Sequence, residues 1–367
     1  MVEIRPANTP ASLKTFIELP LSLYRDDPFY VPQLTRELKV HFSEKNPFFR
    51  HAKVKFFLAL KGGKPVGRIA SIIDRLHNDL HKDRTGFFGF FESINNPEVA
   101  AALLGRVAED LKGNGMNLMR GPMNFSTNEE CGVLMEGFDA PPMLMMPYNH
   151  PWYTDLLAGY GMTKAKDLNA YIHHVIGALP EKVLRVAAIA EKKGITVRPI
   201  RKKEFEQDMM IFKEIYNAAW AHNWGFIPIS DEELIYSADR LKQIVEQDLT
   251  VIAEKDGEPV GFLGMVPDFN FVLRRMGGRL TPVTILKALY HSRRITDLRL
   301  LLLGIKPEYR NRGVDALMFR EVYEGVKRYK RIEFSWILED NLPVIRIIEM
   351  VGGDLYRRYR IFEKSIG

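Results

Sequence analysis

An internal repeat constrains this chain more than any other feature of its sequence. Leu58-Ala-Leu-Lys-Gly-Gly-Lys-Pro-Val-Gly67 aligns with Ile252-Ala-Glu-Lys-Asp-Gly-Glu-Pro-Val-Gly261, with six of ten positions identical at an offset of 194. Each segment reads as a strand, a tight turn at Gly63 or Gly257, and a second strand opening at Pro-Val-Gly. Hairpins of this kind are common, so the flanks decide. Glu3-Ile4-Arg5-Pro6 matches Thr196-Val197-Arg198-Pro199 at an offset of 193, and Gly161 matches Gly352 at 191. Three landmarks in one order, at nearly constant offset, imply two copies of one αβ unit. The 367 residues suffice for two domains of ordinary size. The seam falls around residues 178–194, after the helical pattern Pro180–Lys193. The expected domains are 1–178 and 195–367.

The second copy reads strand (195–199), helices (203–222 and 231–247), hairpin (249–267), insertion (268–297), strand (298–305), helix (314–330), strand (332–338), helix (342–351) and strand (354–365). The first follows a similar order, with a hairpin (54–73), strand (86–92), helix (97–112), strand (116–120), helix (151–159) and strand (163–175). The expected class is α/β, with a mixed central sheet flanked by helices in each copy.

Composition narrows the function. With 46% hydrophobic and 27% charged residues, the chain is neither disordered nor collagenous nor a coiled coil. One cysteine, Cys131, excludes an intramolecular disulfide and a Cys-rich zinc site. No apolar stretch follows a basic segment in MVEIRPANTP, and no window approaches the roughly 18 apolar residues of a membrane span. A cytoplasmic location is the expectation. A net charge of +6 is compatible with an anionic ligand, an acidic membrane surface or no particular partner. The Tyr356-Arg357-Arg358-Tyr359-Arg360 knot reads as a half-exposed terminal strand, and no nucleic-acid partner is expected. His77 and His81 have the i,i+4 spacing of a metal pair without a third ligand, so no metal is expected.

Chemistry concentrates after the apolar strand Leu300–Leu303. There Gly304-Ile-Lys-Pro-Glu-Tyr-Arg310-Asn-Arg-Gly313 leads directly into a helix. A helix start of this kind offers unpaired amides and a positive dipole end, which suit a pyrophosphate. Gly313 would allow close approach, and Arg310 and Arg312 would supply charged donors. The competing reading is a surface turn with solvated arginines.

Arg310 and Gly313, placed after a strand, resemble the pyrophosphate loop Arg/Gln-x-x-Gly-x-Gly/Ala of the GNAT N-acyltransferase superfamily. Ile337-Leu-Glu-Asp-Asn341, the following helix and Gly352-Gly353 are similar to its second motif. The whole chain resembles a bacterial double-GNAT family of YghO-like proteins, some of whose relatives acylate sphingoid bases as ceramide synthases do. The resemblance implies acyl-CoA as co-substrate and direct attack of a primary amine on the thioester. It places CoA on Leu303, Gly304, Ile305, Arg310, Asn311, Arg312, Gly313, Val314, Ala316 and Asn341. The acceptor, a small-molecule or lipid amine, is expected near a cleft between the halves. Two departures stand out. Asp315 replaces the second Gly/Ala, and Ile348 falls where the usual proton-donating Tyr is expected. A non-catalytic ligand-binding GNAT protein therefore remains an alternative. The first copy has no arginine loop after residue 92 and is expected to be degenerate.

Candidate acid–base groups are Glu129, Glu339 and Tyr216, with solvated loop acids as the alternative for the carboxylates. Trp220, Asn223, Trp224 and Phe226 either line an acceptor pocket or form an aromatic helix corner packed on the sheet. Asn124 and Asn128 lie in a polar loop at a strand end, and Met143, Met145 and Met146 follow as adaptable apolar wall or core filler. Within the insertion, Pro282–Arg294 is a basic amphipathic helix pattern. It is either an interfacial helix in peripheral contact with a membrane or a helix packed on its own domain.

Overall fold

The computed structural model describes all 367 residues. In chain order the elements are β1 (Val2–Pro6), α1 (Pro10–Leu23), α2 (Thr35–His41), β2 (Ala52–Lys61), β3 (Lys64–Asp74), α3 (Arg75–His81), β4 (Thr85–Ser93), α4 (Pro97–Gly113), β5 (Leu118–Gly121), β6 (Val133–Glu136), α5 (Tyr153–Gly159) and β7 (Thr163–His174). There follow α6 (Glu181–Lys192), β8 (Ile195–Pro199), α7 (Phe205–Trp220), α8 (Asp231–Leu241), β9 (Thr250–Lys255), β10 (Glu258–Pro267), α9 (Asn270–Met276), α10 (Pro282–Ser292), β11 (Asp297–Ile305), α11 (Val314–Val326), β12 (Arg331–Leu338), α12 (Leu342–Met350) and β13 (Gly353–Ser365).

The repeat is real at the level of register. β2–β3 and β9–β10 are hairpins whose two-residue turns, Gly62-Gly63 and Asp256-Gly257, have both central residues at positive φ. That turn type matches the right-handed twist of the strands, which is why glycine recurs there. In both hairpins the shared Pro-Val-Gly forms a bulge, with Val66 and Val260 the extra residues. The opening strands pair alike: Arg5 faces Leu58 in the first copy, and Arg198 faces Ile252 in the second.

Two compact units result, and neither is contiguous in the chain as 1–178 and 195–367 would be. The first comprises Met1–Asn169, Asn270–Tyr290 and Arg357–Gly367; the second comprises Ala170–Phe269 and His291–Tyr356. In the first unit the strand order is β1-β2-β3-β4-β5-β13, with β6 also on β13. Its core gathers α4, α5 and the sheet around Phe57, Phe88, Leu103 and Phe362. Phe362 comes from the far end of the chain. Buried Arg357 is held there too, donating to the carbonyl of Gly137 at 3.0 Å and to that of Ala140. These anchors, with Arg360 paired to Asp167, explain why the last strand is counted with the first unit. The insertion also joins it: Asn270 donates to the Pro142 carbonyl at 2.9 Å, and the Gly278 carbonyl accepts from Thr35 N–H at 3.2 Å.

The second unit carries the order β12-β11-β10-β9-β8. α6 and α11 cover one face through Ala187, Ala190, Val314 and Leu317, and α7 and α8 cover the other through Phe205, Phe212, Ile215 and Leu234. A buried carboxylate holds α7 in place. Asp208 accepts from Arg198 of β8 at 3.0 Å, from the Arg201 side chain at 2.9 Å and from the Arg201 amide at 2.6 Å. Burial alone would raise the Asp208 carboxyl pKa, but the two guanidiniums and the amide outweigh it and hold the group below its usual range. Its folded-state pKa is depressed, so its contribution is present above the unfolded carboxylate pKa and is lost as pH falls through the folded value. Asp208→Asn should cost about 2 kcal/mol at neutral pH in urea unfolding, and the deficit should shrink in acid as wild-type Asp208 itself becomes protonated. An undiminished midpoint at pH 7 would contradict this anchoring.

Candidate functional site

β11 and β12 are parallel neighbours for four pairs only, from Asp297↔Arg331 to Leu300↔Phe334. At that same point β11 gains a residue against β10. Gly264 faces Leu302 and Met265 faces Leu300, leaving Leu301 as a bulge. A bulge bends its strand and increases the local twist. Beyond it, residues 302–305 keep β10 on one side and have no β12 partner on the other.

The direction of the amides in this wedge follows from one hydrogen bond. Lys306 N–H donates to the Val260 carbonyl of β10 at 2.9 Å. Peptide groups alternate sides along a strand, so Gly304 and Leu302 also face β10, while Leu303 and Ile305 face the gap. Two N–H groups at the mouth of a wedge suit a carbonyl oxygen that gains negative charge.

β11 then enters the turn that precedes α11. Asn311 and Gly313 both have positive φ there, 60° and 81°. Gly313 occupies the N-cap position, and no side chain caps the helix, so first-turn amides remain available. Gly313 also lets α6 approach closely: a Cβ there would lie 2.7 Å from Val186 Cγ1. Val314 and Ala316 turn their side chains into the core, so only their amides could meet a ligand. Asn311 and Arg312 are exposed, and the Arg312 guanidinium lies 5.2 Å from the Tyr309 ring centre. Arg310 donates to the Ala219 carbonyl at 2.6 Å, and Lys306 pairs with Glu214. Both cations therefore tie the turn to α7.

α7 delivers the aromatic corner to this strand. A Cβ at Gly304 would fall 2.6 Å from Trp220 Cζ3 and 2.8 Å from Cη2, so the indole lies directly on the β11 backbone. Tyr216 packs between Trp220 and Phe226, with ring centres 4.8 and 5.6 Å away. Asn223 closes the turn, its N–H donating to the Trp220 carbonyl at 2.8 Å and its carbonyl accepting from Phe226 N–H at 3.2 Å. Trp224 is half-buried beside it. The corner is packed on the sheet, with the Trp220 indole against β11 where β12 has parted.

On the α7 side of the sheet sits a polar cluster that sequence reasoning missed. Arg299 and Glu333 face each other one register before the strands part. Glu333 is fully buried and accepts from the hydroxyls of Ser335 and Tyr356, with Arg299 Nε 3.9 Å away. Arg299 also donates to Ser335 Oγ at 2.9 Å. The available signal was the alternation in Ile332-Glu-Phe-Ser-Trp336, which sets a carboxylate between core residues of a central strand.

The other candidates are dispersed. Glu339 is half-buried and Asp340 exposed in the turn after β12, and Asn341 opens α12 with its N–H on the Leu338 carbonyl at 3.0 Å. Ile348 is a core residue pressed by Gly353, whose added Cβ would sit 2.5 Å from Ile348 Cγ2. Glu129, Asn124 and Asn128 belong to the first unit. Glu129 lies 3.4 Å from His41. There too β4 and β5 part, after Phe87↔Arg120, and β4 bulges against β3. The gap is filled by its own loop. Met123 N–H donates to the Phe88 carbonyl at 2.8 Å, and Asn124 Oδ1 accepts from Phe90 N–H at 2.8 Å. Asn124 also donates to Glu130, so its side chain, expected on a substrate, is engaged within the loop. The buried Cys131 and Met143 are core residues of this unit.

Gly304→Ala should push Trp220 off the strand. We expect a loss of about 2 kcal/mol in stability together with a changed tryptophan emission spectrum; an unchanged spectrum would argue against the indole–strand contact.

No family model matches the chain. It is 35% identical over 362 residues to "Protein YghO" of Escherichia coli strain K12, covering 96% of this chain and 93% of that protein. It is likewise 35% identical to the "Bacterial ceramide synthase" of Caulobacter vibrioides strain NA1000 / CB15N, covering all of this chain and 98% of that one. Among solved structures, a tandem GNAT protein from the clavulanic acid biosynthesis pathway matches with a TM-score of 0.59 at 12% identity, over 100% of this chain and 99% of the other, a likeness of fold alone. With two αβ copies in matching register, the fold is that of a tandem GNAT protein, and this chain belongs to the family of YghO and the bacterial ceramide synthase.

Proposed function

We propose that this protein transfers a long-chain acyl group from CoA to the primary amine of a sphingoid-type amino-lipid. The observation that carries the reading is the wedge between β11 and β12, with Leu303 and Ile305 amides directed into it beside an uncapped helix start. The lipid acceptor is supported by a relative at 35% identity, matched over all of this chain and 98% of its own length, that is named a ceramide synthase.

In this reading the thioester lies in the wedge with its carbonyl oxygen on the Leu303 and Ile305 N–H groups, and the diphosphate lies against the amides of residues 311–316 near Arg312. Such donors stabilise the oxygen as it becomes an oxyanion. The amine approaches from the α7 face, past Trp220. Its nitrogen bonds to the carbonyl carbon, the C–S bond breaks and CoA departs as the thiolate. The proton released by nitrogen passes through the Tyr356 hydroxyl to Glu333, and Tyr356 in turn returns a proton to the departing thiolate. Glu333 and Tyr356 thus replace Glu129, Glu339 and Tyr216 as the acid–base pair in our assignment. Acetyl transfer to a small amine is the competing outcome.

The test is mass-spectrometric detection of N-acyl product with palmitoyl-CoA or acetyl-CoA and sphinganine. We expect product and stoichiometric CoA from palmitoyl-CoA, at least about tenfold faster than from acetyl-CoA. Glu333→Gln should lower kcat about a hundredfold while calorimetric affinity for palmitoyl-CoA holds, and Arg312→Glu should weaken that affinity. Tight acyl-CoA binding without CoA release for any amine tried would instead make the chain a ligand-binding protein.

A further inference from the structure

The insertion helix α10 carries its amphipathicity the wrong way round for a helix in water. At 100° per residue, Val283, Ile285, Leu286, Leu289 and Tyr290 fill an arc of about 160°. All five are exposed, Val283, Leu286 and Leu289 by 62, 68 and 63%. The opposite arc, Thr284, Ala288, His291 and Ser292, is the half-buried side that faces the protein. No residue of the helix is buried. With Leu280, the stretch 280–290 holds six of the eighteen large exposed hydrophobic residues of the chain, whereas the others are scattered.

The helix is nonetheless held firmly at its start. Thr281 and Thr284 cap one another, Thr284 N–H to Thr281 Oγ1 at 3.2 Å and Thr281 N–H to Thr284 Oγ1 at 2.7 Å. Just before it, Gly278 is seated on the chain at Gln33, 3.1 Å from that carbonyl for an added Cβ. The inward threonine is thus consumed by the cap, and the outward arc is presented on a fixed platform.

Charge identifies what this arc meets. Between residues 269 and 296 there are six Lys and Arg and no Asp or Glu. Arg279, Lys287, Arg293 and Arg294 are exposed and flank or border the apolar arc. A second protein chain would be expected to require acidic partners around an apolar centre; a sheet of anionic headgroups over hydrocarbon supplies both at once, with no side-chain register to satisfy. No helix of the chain is long and apolar enough to cross a membrane, so the contact is interfacial.

We infer that α10 docks the protein on the surface of an anionic phospholipid bilayer, its Val283–Tyr290 arc entering the headgroup region and its flanking cations on the phosphates. The inference stands on α10 and goes beyond the acyl-transfer reading; either can fail alone.

The full chain is sedimented with vesicles of phosphatidylcholine alone and of phosphatidylcholine with phosphatidylglycerol, at low and high salt. We expect binding to the phosphatidylglycerol vesicles that weakens with salt, and about tenfold less to phosphatidylcholine. A Leu286→Glu/Leu289→Glu variant should lose vesicle binding at least about tenfold while its thermal midpoint and its affinity for palmitoyl-CoA stay at wild type. Arg293→Glu/Arg294→Glu should erase the preference for phosphatidylglycerol. The inference is overturned if wild type ignores anionic vesicles, if both variants bind as wild type does, or if ultracentrifugation shows that the Leu286/Leu289 change breaks a dimer and vesicle binding is absent.

Discussion

One extra residue in β11 organises the second unit. A β-strand between two neighbours satisfies its backbone on both edges; the extra residue Leu301 shifts the ladder with β10 by one, and from that point β12 is no longer paired. β10 continues to pair through Ile305, which keeps the strand rigid, while β12 is released after Phe334. The released edge would be costly if buried dry, because unpaired amides lose their water partners. The amides of Leu303 and Ile305, on the edge that β12 leaves, therefore call for a polar partner such as water. The surrounding contacts serve this geometry: Trp220 pins the strand at Gly304, Arg310 and Lys306 bind the following turn to α7, and Asp208 locks α7 to β8.

The two copies begin from the same arrangement and end differently. Both have the Pro-Val-Gly bulge, and both have a parallel strand pair that parts after a few residues. In the first copy Asn124 and Met123 take up the β4 backbone groups, and the loop that carries them runs into Phe125, packed among Phe42, Phe48, Phe49 and Phe90. The two copies thus differ in what meets the backbone where the parallel strands part: in the first copy it is the chain's own loop at Met123 and Asn124.

Much of this was legible beforehand, for identifiable reasons. The hairpins were readable because a two-residue turn with positive φ demands glycine, and that demand survives in both copies. The turn at 306–313 was readable because proline, arginine and glycine each have a local geometric role before a helix. The aromatic corner after α7 was visible as composition, although its contact with Gly304 was not. The pairing of Glu333 with Tyr356 was not legible, and Tyr356 read only as part of a half-exposed terminal strand. The first lay within an apolar strand, the second within a run of arginines, and their hydroxyl–carboxylate contact joins positions 23 residues apart.

Sequence alone determined the duplication, the αβ class, the family and the position of the helix start at Gly313–Val314, because each is written in short-range chemistry: turns, caps and strand periodicity. Only the tertiary structure decided that β13 from Arg357 onward joins the first unit, that Gly313 is pressed by α6, that Ile348 is core, and that Asn124 meets the β4 backbone where β5 has parted. Those outcomes depend on which distant side chain reaches a given backbone group first, and local propensity carries no information about that competition.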